Sequence, residues 1–350
     1  MNCLIYGATG YTGALIARLA VSRGARPVLG ARDAQALGSL AASLSLEARA
    51  FALERAGDVD AGLNGIEVVL HCAGPFSRTA RPMIDACLRT RTHYLDINGD
   101  IDSFEETALR DADARAAGIM LLPGAGFDVV PSDCLALHLK ERLPGATHLA
   151  LGFQSTGGVS RGTATTVVEG LHRGGAIRRN GVLEAVPIAH RIRLIDFGRG
   201  PQAAMTLPWG DVATAWRSTR IPNIEVYLAA PLAVRLGARA LHVLRPLLAK
   251  PRVQGFLIKR IQAGPPGPSD PQRAAGASFL WGEVRDDRGG VAVTRLRTPD
   301  GYTLTSLAAL ALVERVLSRD FKVGYQTPAM AYGADFISTL PGCQFQDAAP

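Results

Sequence analysis

Short apolar runs alternate with amphipathic stretches along the first third of this 350-residue chain. Leu4–Tyr6, Pro27–Ala31, Ala48–Leu53, Glu67–Cys72, His93–Ile97 and Ile119–Leu122 read as strands. Between them, Ala14–Ser22, Ala34–Ser43, Asp58–Leu63, Thr79–Arg89 and Ser103–Ala117 read as helices. Glu67–Cys72 is almost continuously apolar, the pattern of a strand covered on both faces. Ser103 and Glu106 have the spacing of a capping box. Such regular alternation predicts an α/β fold, with a doubly wound parallel sheet and right-handed crossovers.

After Pro131 the pattern changes. A helix is expected over Asp133–Glu141, with Asp133 as its N-cap, followed by a strand over His148–Phe153. The stretch Ser155–Thr166, rich in glycine, serine and threonine, leads into another helix. Strands are expected near Ile188–Ile195, Phe279–Arg285 and Val291–Arg297, the last two flanking the hairpin signal Asp287-Arg288-Gly289-Gly290. A helix follows over Thr303–Leu317. Gly264 to Ala277 holds four prolines and reads as a mobile loop, a lid or a disordered excursion. The expected organisation is therefore two domains. Residues 1–133 form the doubly wound one; residues 134–350 form an α+β domain with a mainly antiparallel sheet, for substrate and dimerisation. The last helices, about 303–350, are expected to pack back on the first domain.

Composition narrows the class. An apolar fraction of 47% with 20% charged residues is ordinary for a globular protein. The five cysteines are scattered without a Cys-x-x-Cys pair, so neither a zinc site nor a disulfide framework is expected. No signal-peptide pattern or long uncharged apolar run is visible, which fits a cytoplasmic protein, with a peripheral membrane position left open. The net charge of +7 is concentrated. Between Arg217 and Arg260 nine basic residues face one acid, Glu225, and the rest of the chain is near neutral. That points to a local surface for an acidic partner and away from nucleic acid.

The chemistry begins almost at the first residue. Strand Leu4–Tyr6 runs into Gly7-Ala8-Thr9-Gly10-Tyr11-Thr12-Gly13 and then into a helix. A strand, a glycine turn and a helix start make a phosphate cradle. Gly7 permits the turn, Gly10 lets backbone approach a pyrophosphate, and Gly13 allows close helix–strand packing. The second strand ends at Arg32, about 20 residues further on, where an acid would favour NAD and an arginine favours the 2′-phosphate of NADP. NADP(H) is the expected cofactor. Asp33 is expected to cap the next helix. At the end of the fourth strand, Cys72-Ala73-Gly74-Pro75-Phe76 is placed to pass beside the ribose and nicotinamide, with Cys72 a core residue and not a nucleophile.

Asp128 follows Gly124-Ala125-Gly126 at a strand end, so its carboxylate is a candidate to face the nicotinamide cleft. Asp96 reads equally as a site residue or a buried structural acid. His71, at a strand end, reads as a core histidine with satisfied nitrogens. No histidine or cysteine spacing suggests a metal. No tyrosine precedes a lysine by four positions, and there is no G-x-S-x-G, H-E-x-x-H or Walker lysine, which removes several catalytic classes. Arg235, Arg239 and His242 recur at helical spacing within Leu228–Leu248. Two readings fit: a basic helix that docks on an anionic surface, or a helix packed on its own domain with a solvated arginine face.

Several segments together resemble one family. They are GATGYTG at Gly7–Gly13, CAGPF at Cys72–Phe76, HYLDINGD at His93–Asp100 and GFDVVPSD at Gly126–Asp133. PWGD at Pro208–Asp211, RIPNIEVY at Arg220–Tyr227, LWGEV at Leu280–Val284, TPDGYTLT at Thr298–Thr305 and QTPAMAYG at Gln326–Gly333 continue the likeness along nearly the whole chain. The chain resembles the saccharopine dehydrogenase-like oxidoreductases, and its later segments are similar to the trans-acting enoyl reductase branch. The resemblance implies a Rossmann-type domain, NADP(H), and hydride transfer to a C=C bond of a carrier-bound acyl chain. On the leading reading, an NADPH-dependent reductase of an activated double bond, Gly7 to Gly13 hold the pyrophosphate, Arg32 the 2′-phosphate and Gly74 to Phe76 the nicotinamide side, with Asp128 or a bound water returning the proton. The basic 217–260 surface would receive an acidic carrier protein, coenzyme A or a membrane. An imine reductase of amino-acid-like substrates and a non-catalytic NADP-binding scaffold at a membrane are the alternatives.

Overall fold

The computed structural model describes residues 2–170, 173–243, 245–248 and 250–348, without the side chains of residues 239–243 and 245. The chain forms two units. The first combines Met1–Val130 with Tyr302–Ala331; the second combines Pro131–Gly301 with Tyr332–Pro350.

The first unit begins with β1 (Cys3–Tyr6), α1 (Tyr11–Ser22), β2 (Val28–Ala31), α2 (Ala34–Leu44), β3 (Ala48–Ala50) and α3 (Ala56–Gly62). It continues with β4 (Val68–His71), α4 (Phe76–Thr90), β5 (His93–Asp96), α5 (Ile101–Ala108), α6 (Asp111–Ala117) and β6 (Met120–Leu122). Each pair of neighbouring strands is parallel. The order across the sheet is β6-β5-β4-β1-β2-β3, and a late strand, Gly324–Tyr325, lies beyond β6. Leu4, Ile5, Val68, Val69 and Leu70 have no exposed surface, because both faces of the central strands are covered. Asp111 accepts a hydrogen bond from the Tyr325 N–H at 2.7 Å and so fixes the late strand to α6.

Two local expectations change here. The stretch expected as one helix over Ser103–Ala117 is two helices, α5 and α6. Ser103 lies inside α5 and is not its cap. Asp100 is the cap, accepting from the N–H groups of Asp102 and Ser103, since its short carboxylate reaches them first. Asp33 caps α2 as expected, accepting from Gln35 and Ala36.

The second unit follows α7 (Val130–Arg142), which begins in the first unit. Its elements are β7 (His148–Ser155), α8 (Arg161–Gly170), β8 (Gly175–Arg179), β9 (Val182–Val186), β10 (Ile192–Asp196), β11 (Pro201–Thr206), α9 (Asp211–Thr219) and β12 (Asn223–Ala229). Then come α10 (Leu232–Val243), α11 (Arg245–Leu248), α12 (Pro251–Gln262), α13 (Asp270–Ala275), β13 (Ala277–Arg285) and β14 (Val291–Pro299). The next helix, α14 (Gly301–Leu317), carries the chain back to the first unit. A nine-stranded sheet runs β10-β11-β12-β7-β13-β14 and ends on Gln344–Ala348, with β8 and β9 attached beside β12. Its β12–β7 pair is parallel and the other pairs are antiparallel. Gly282 lets α7 approach one face; a Cβ there would lie 2.5 Å from a methyl of Leu139. On the sheet Ile195, Phe197, Tyr227, Trp281 and Val293 form an apolar cluster.

Asp133 is not an N-cap. It lies in the first turn of α7, fully buried, and accepts a 2.6 Å hydrogen bond from Ser218 of α9. The segment from Gly264 to Ala277 is not a structureless excursion either. Arg161 donates to the Gly264 carbonyl at 2.8 Å, and Ser269 with Gln272 forms the capping box that starts α13.

Candidate functional site

In the first unit the loops after β1, β4, β5 and β6 all leave the carboxyl edge of one parallel sheet. That edge is where open α/β sheets place their ligands.

Gly7 has a φ of +87°, and a Cβ there would lie 2.7 Å from the backbone nitrogen of Ala73. The β1 and β4 loops therefore cross at backbone contact, and only glycine permits it. Gly13 is equally constrained: its Cβ would fall 2.3 Å from the Gly7 carbonyl oxygen. Gly10 is different. A Cβ there would meet only that same carbonyl, at 3.2 Å, so open space lies over the backbone at the start of α1. No side chain caps α1, and its first turn holds no acid. A bare helix start beneath open space accepts an anion through its N–H groups and dipole. This geometry fits a dinucleotide pyrophosphate, held by residues 7–13.

Ala8 is buried, Thr9 exposed and Tyr11 and Thr12 half-buried along that loop. Arg32 is exposed one residue past β2. At the end of β4 the Gly74–Pro75 peptide is cis, and Thr79 anchors the turn by donating to the Ala73 carbonyl at 2.6 Å. Cys72 is half-buried and not part of the core proper, and desolvation pushes its thiol well above the ordinary pKa, so it stays protonated.

His71 does not have satisfied nitrogens. Both lack hydrogen-bond partners, and the ring is boxed by Tyr6, Phe76 and Tyr94 at 5.4–6.1 Å. Burial lowers its pKa to about 3, so it is a neutral filler in an aromatic cage.

Asp96 is a structural hub. Its carboxylate accepts from the Tyr94 hydroxyl at 2.7 Å, the Asn98 N–H at 2.9 Å and the Gly124 N–H at 2.8 Å. It ties the end of β5 to the end of β6. Desolvation raises its pKa to about 6, against the lowering effect of those three donors. Asp128 sits over Gly99, whose Cβ would lie 2.6 Å from a carboxylate oxygen. Its pKa is also raised to about 6, by desolvation. The geometry thus brings Gly99 of the β5 loop and Asp128 of the β6 loop together.

Three nearby residues were not singled out in the sequence. Asn98 is buried, and its side-chain N–H₂ has no hydrogen-bond partner, leaving a donor at the same edge. Tyr302 packs edge-on against Tyr11 of the glycine loop, with ring centres 5.1 Å apart. Thr305 accepts from the Phe127 N–H at 3.0 Å, buttressing the turn that carries Asp128. Asn98, Tyr302 and Thr305 all lie inside the quoted segments HYLDINGD and TPDGYTLT, which was the available signal. Among the described residues no group of histidine, cysteine, aspartate or glutamate side chains is arranged to hold a metal, and no helix is long and apolar enough to cross a membrane.

Comparison with known proteins agrees with this geometry. Residues 3–122 match the family described as the saccharopine dehydrogenase NADP binding domain. The whole chain has the fold of saccharopine dehydrogenase (L-Glu forming) from Saccharomyces cerevisiae: TM-score 0.67, 12% identity, 99% of each chain covered. Homospermidine synthase from Legionella pneumophila, solved in complex with NAD, shares it at TM-score 0.63 and 10% identity, covering 99% of this chain and 91% of that one. Residues 3–122 are therefore similar to the NADP binding domain of the saccharopine dehydrogenase family. In sequence the chain is 33% identical over 150 residues to a trans-acting enoyl reductase of Mycobacterium leprae, and 29% identical over 149 residues to one of Mycobacterium tuberculosis. These matches span 41% and 40% of this chain, and 36% of the length of each relative.

Proposed function

We propose that this protein is an NADPH-dependent oxidoreductase that reduces an activated C=C bond of an acyl substrate presented as a thioester. The supporting observation is the carboxyl edge of the first unit. It gathers a glycine loop open over an uncapped helix start, a cationic tip at Arg32 and a carboxyl group, Asp128, whose pKa is raised to about 6. The similarity to trans-acting enoyl reductases supports the choice of bond.

Residues 7–13 would hold the pyrophosphate, Arg32 the 2′-phosphate, and the Gly74–Phe76 turn the nicotinamide side. Bound NADPH would supply the hydride to the electron-poor carbon. Asp128 is suited to deliver the matching proton to the neighbouring carbon, because a pKa of about 6 leaves about one carboxyl in ten protonated at pH 7. Asp96 would hold the β5 and β6 loops in register without touching the substrate.

The test is NADPH oxidation with an enoyl thioester, beside the same assay with a keto acid and an amine. Turnover of the enoyl thioester is expected. Turnover of only the keto acid and amine would replace this reading with an imine reductase, and silence against both would favour a nucleotide-binding scaffold.

A further inference from the structure

In the second unit, α12 packs against α8 and α11, and α11 packs against α10. Arg161 of α8 joins the group through the Gly264 and Pro266 carbonyls. An amphipathic helix of a soluble domain ordinarily buries its apolar stripe. These helices do not: neither α8 nor α12 has a single buried residue. Seven of the eleven exposed large apolar side chains among the described residues, Val159, Val167, Leu232, Val234, Leu236, Leu247 and Phe256, lie on or beside these helices. Phe256 is 62% exposed and Leu232 61%.

Leu232, Val234 and Leu236 of α10 are exposed while Arg235 is half-buried, so this part of α10 does not show an apolar face packed inward and an arginine face outward. The side chains of Arg239 and His242, and that of Arg245, lie outside the described residues. The charge around these apolar groups has one sign. From Tyr227 to Ser269 the chain has seven lysines and arginines and no acid. On α12, Arg252, Phe256 and Arg260 follow one another at four-residue spacing along one face, and all three are exposed.

We infer that the α8 and α10–α12 surface docks on an anionic lipid bilayer, with Phe256 and its aliphatic neighbours entering the headgroup boundary and the flanking cations on lipid phosphates. An acidic protein face would answer the charges but leave the exposed apolar groups in water. A bilayer with anionic headgroups answers both, which is the signature of an interfacial helix. The inference rests on this surface alone and does not depend on the reaction proposed above.

The test is flotation of the full chain with vesicles of phosphatidylcholine alone and of phosphatidylcholine mixed with phosphatidylglycerol. Binding to the mixed vesicles, weakening as salt rises, is expected. Each neutralised cation should weaken it about fivefold, so Arg252→Gln, Lys259→Gln and Arg260→Gln together should weaken it roughly 10²-fold. Phe256→Ser should weaken what binding persists at high salt. Should the triple variant fail to fold by circular dichroism, the salt dependence of the unaltered chain decides. No binding to mixed vesicles at low salt, equal binding to both vesicle types, or capture of an acidic carrier protein without vesicle binding overturns the inference.

Discussion

Replacing Asp128 with asparagine should make this protein more stable at neutral pH while abolishing proton delivery. The carboxyl has a pKa of about 6 in the folded chain against an ordinary value of 3.8, with desolvation as the cause. That rise corresponds to ~3 kcal/mol, and because the side chain is only half-buried, solvent trims this to about 1–3 kcal/mol. The sign follows from proton binding. The folded state holds the proton more tightly than the unfolded one, so stability is greatest below about pH 4 and is lost as pH rises through about 6. Asparagine has nearly the same shape and no charge to desolvate. Urea unfolding of both proteins at about pH 4 and about pH 7.5 should show the Asp128→Asn advantage appearing only at the higher pH. In the unaltered protein enoyl reduction should show an alkaline limb, a tenfold fall in rate per pH unit above about 6, and in the variant that activity should be lost. An equal stability difference at both pH values would refute the desolvation argument. Full activity in the variant would remove Asp128 from the mechanism but leave that argument standing.

Three further substitutions probe the edge. Gly13→Ala places a methyl 2.3 Å from the Gly7 carbonyl oxygen. It should cost about 1–3 kcal/mol and weaken NADPH binding, measured by unfolding and by nucleotide fluorescence titration. Asp96→Ala orphans three donors, from Tyr94, Asn98 and Gly124. A loss of about 3 kcal/mol or more is expected by urea unfolding, and a loss under 1 kcal/mol would deny it the role of hub. Arg32→Ala should weaken NADPH about 10- to 100-fold and leave NADH nearly unchanged. Unchanged NADPH affinity with equal NADH binding would place the 2′-phosphate elsewhere.

Much of the first unit was legible because its signals are local. Continuous apolar strands, glycines at fixed offsets and the Asp33 cap are all properties of a few adjacent residues. The second unit was less legible. The β8–β9 hairpin turns at Asn180-Gly181, with φ of 50° and 80°, a strong short-range hairpin signal that the sequence reading passed over. β11, β12 and the last strand carry mixed burial and no clean alternation, so their pairing partners decide them. Asp133 looked like a cap because it precedes a helical run; its half-buried partner, Ser218, is 85 residues away. Asp128 was named from its strand-end position, but its closeness to Gly99 depends on two loops meeting. Asn98, Tyr302 and Thr305 were hidden for the same reason.

The return of the chain has a consequence for synthesis. The outermost strand of the first sheet, Gly324–Tyr325, and the threonine that steadies the Asp128 turn both belong to residues 302–331, more than 170 positions after β6. On a ribosome the first 130 residues emerge with the β6 edge bare and the Asp128 turn without Thr305. They must wait for residues 131–301 to be translated before the sheet gains its edge strand and the glycine loop its Tyr302 neighbour. A nascent chain halted before Tyr302 would present an open sheet edge to chaperones.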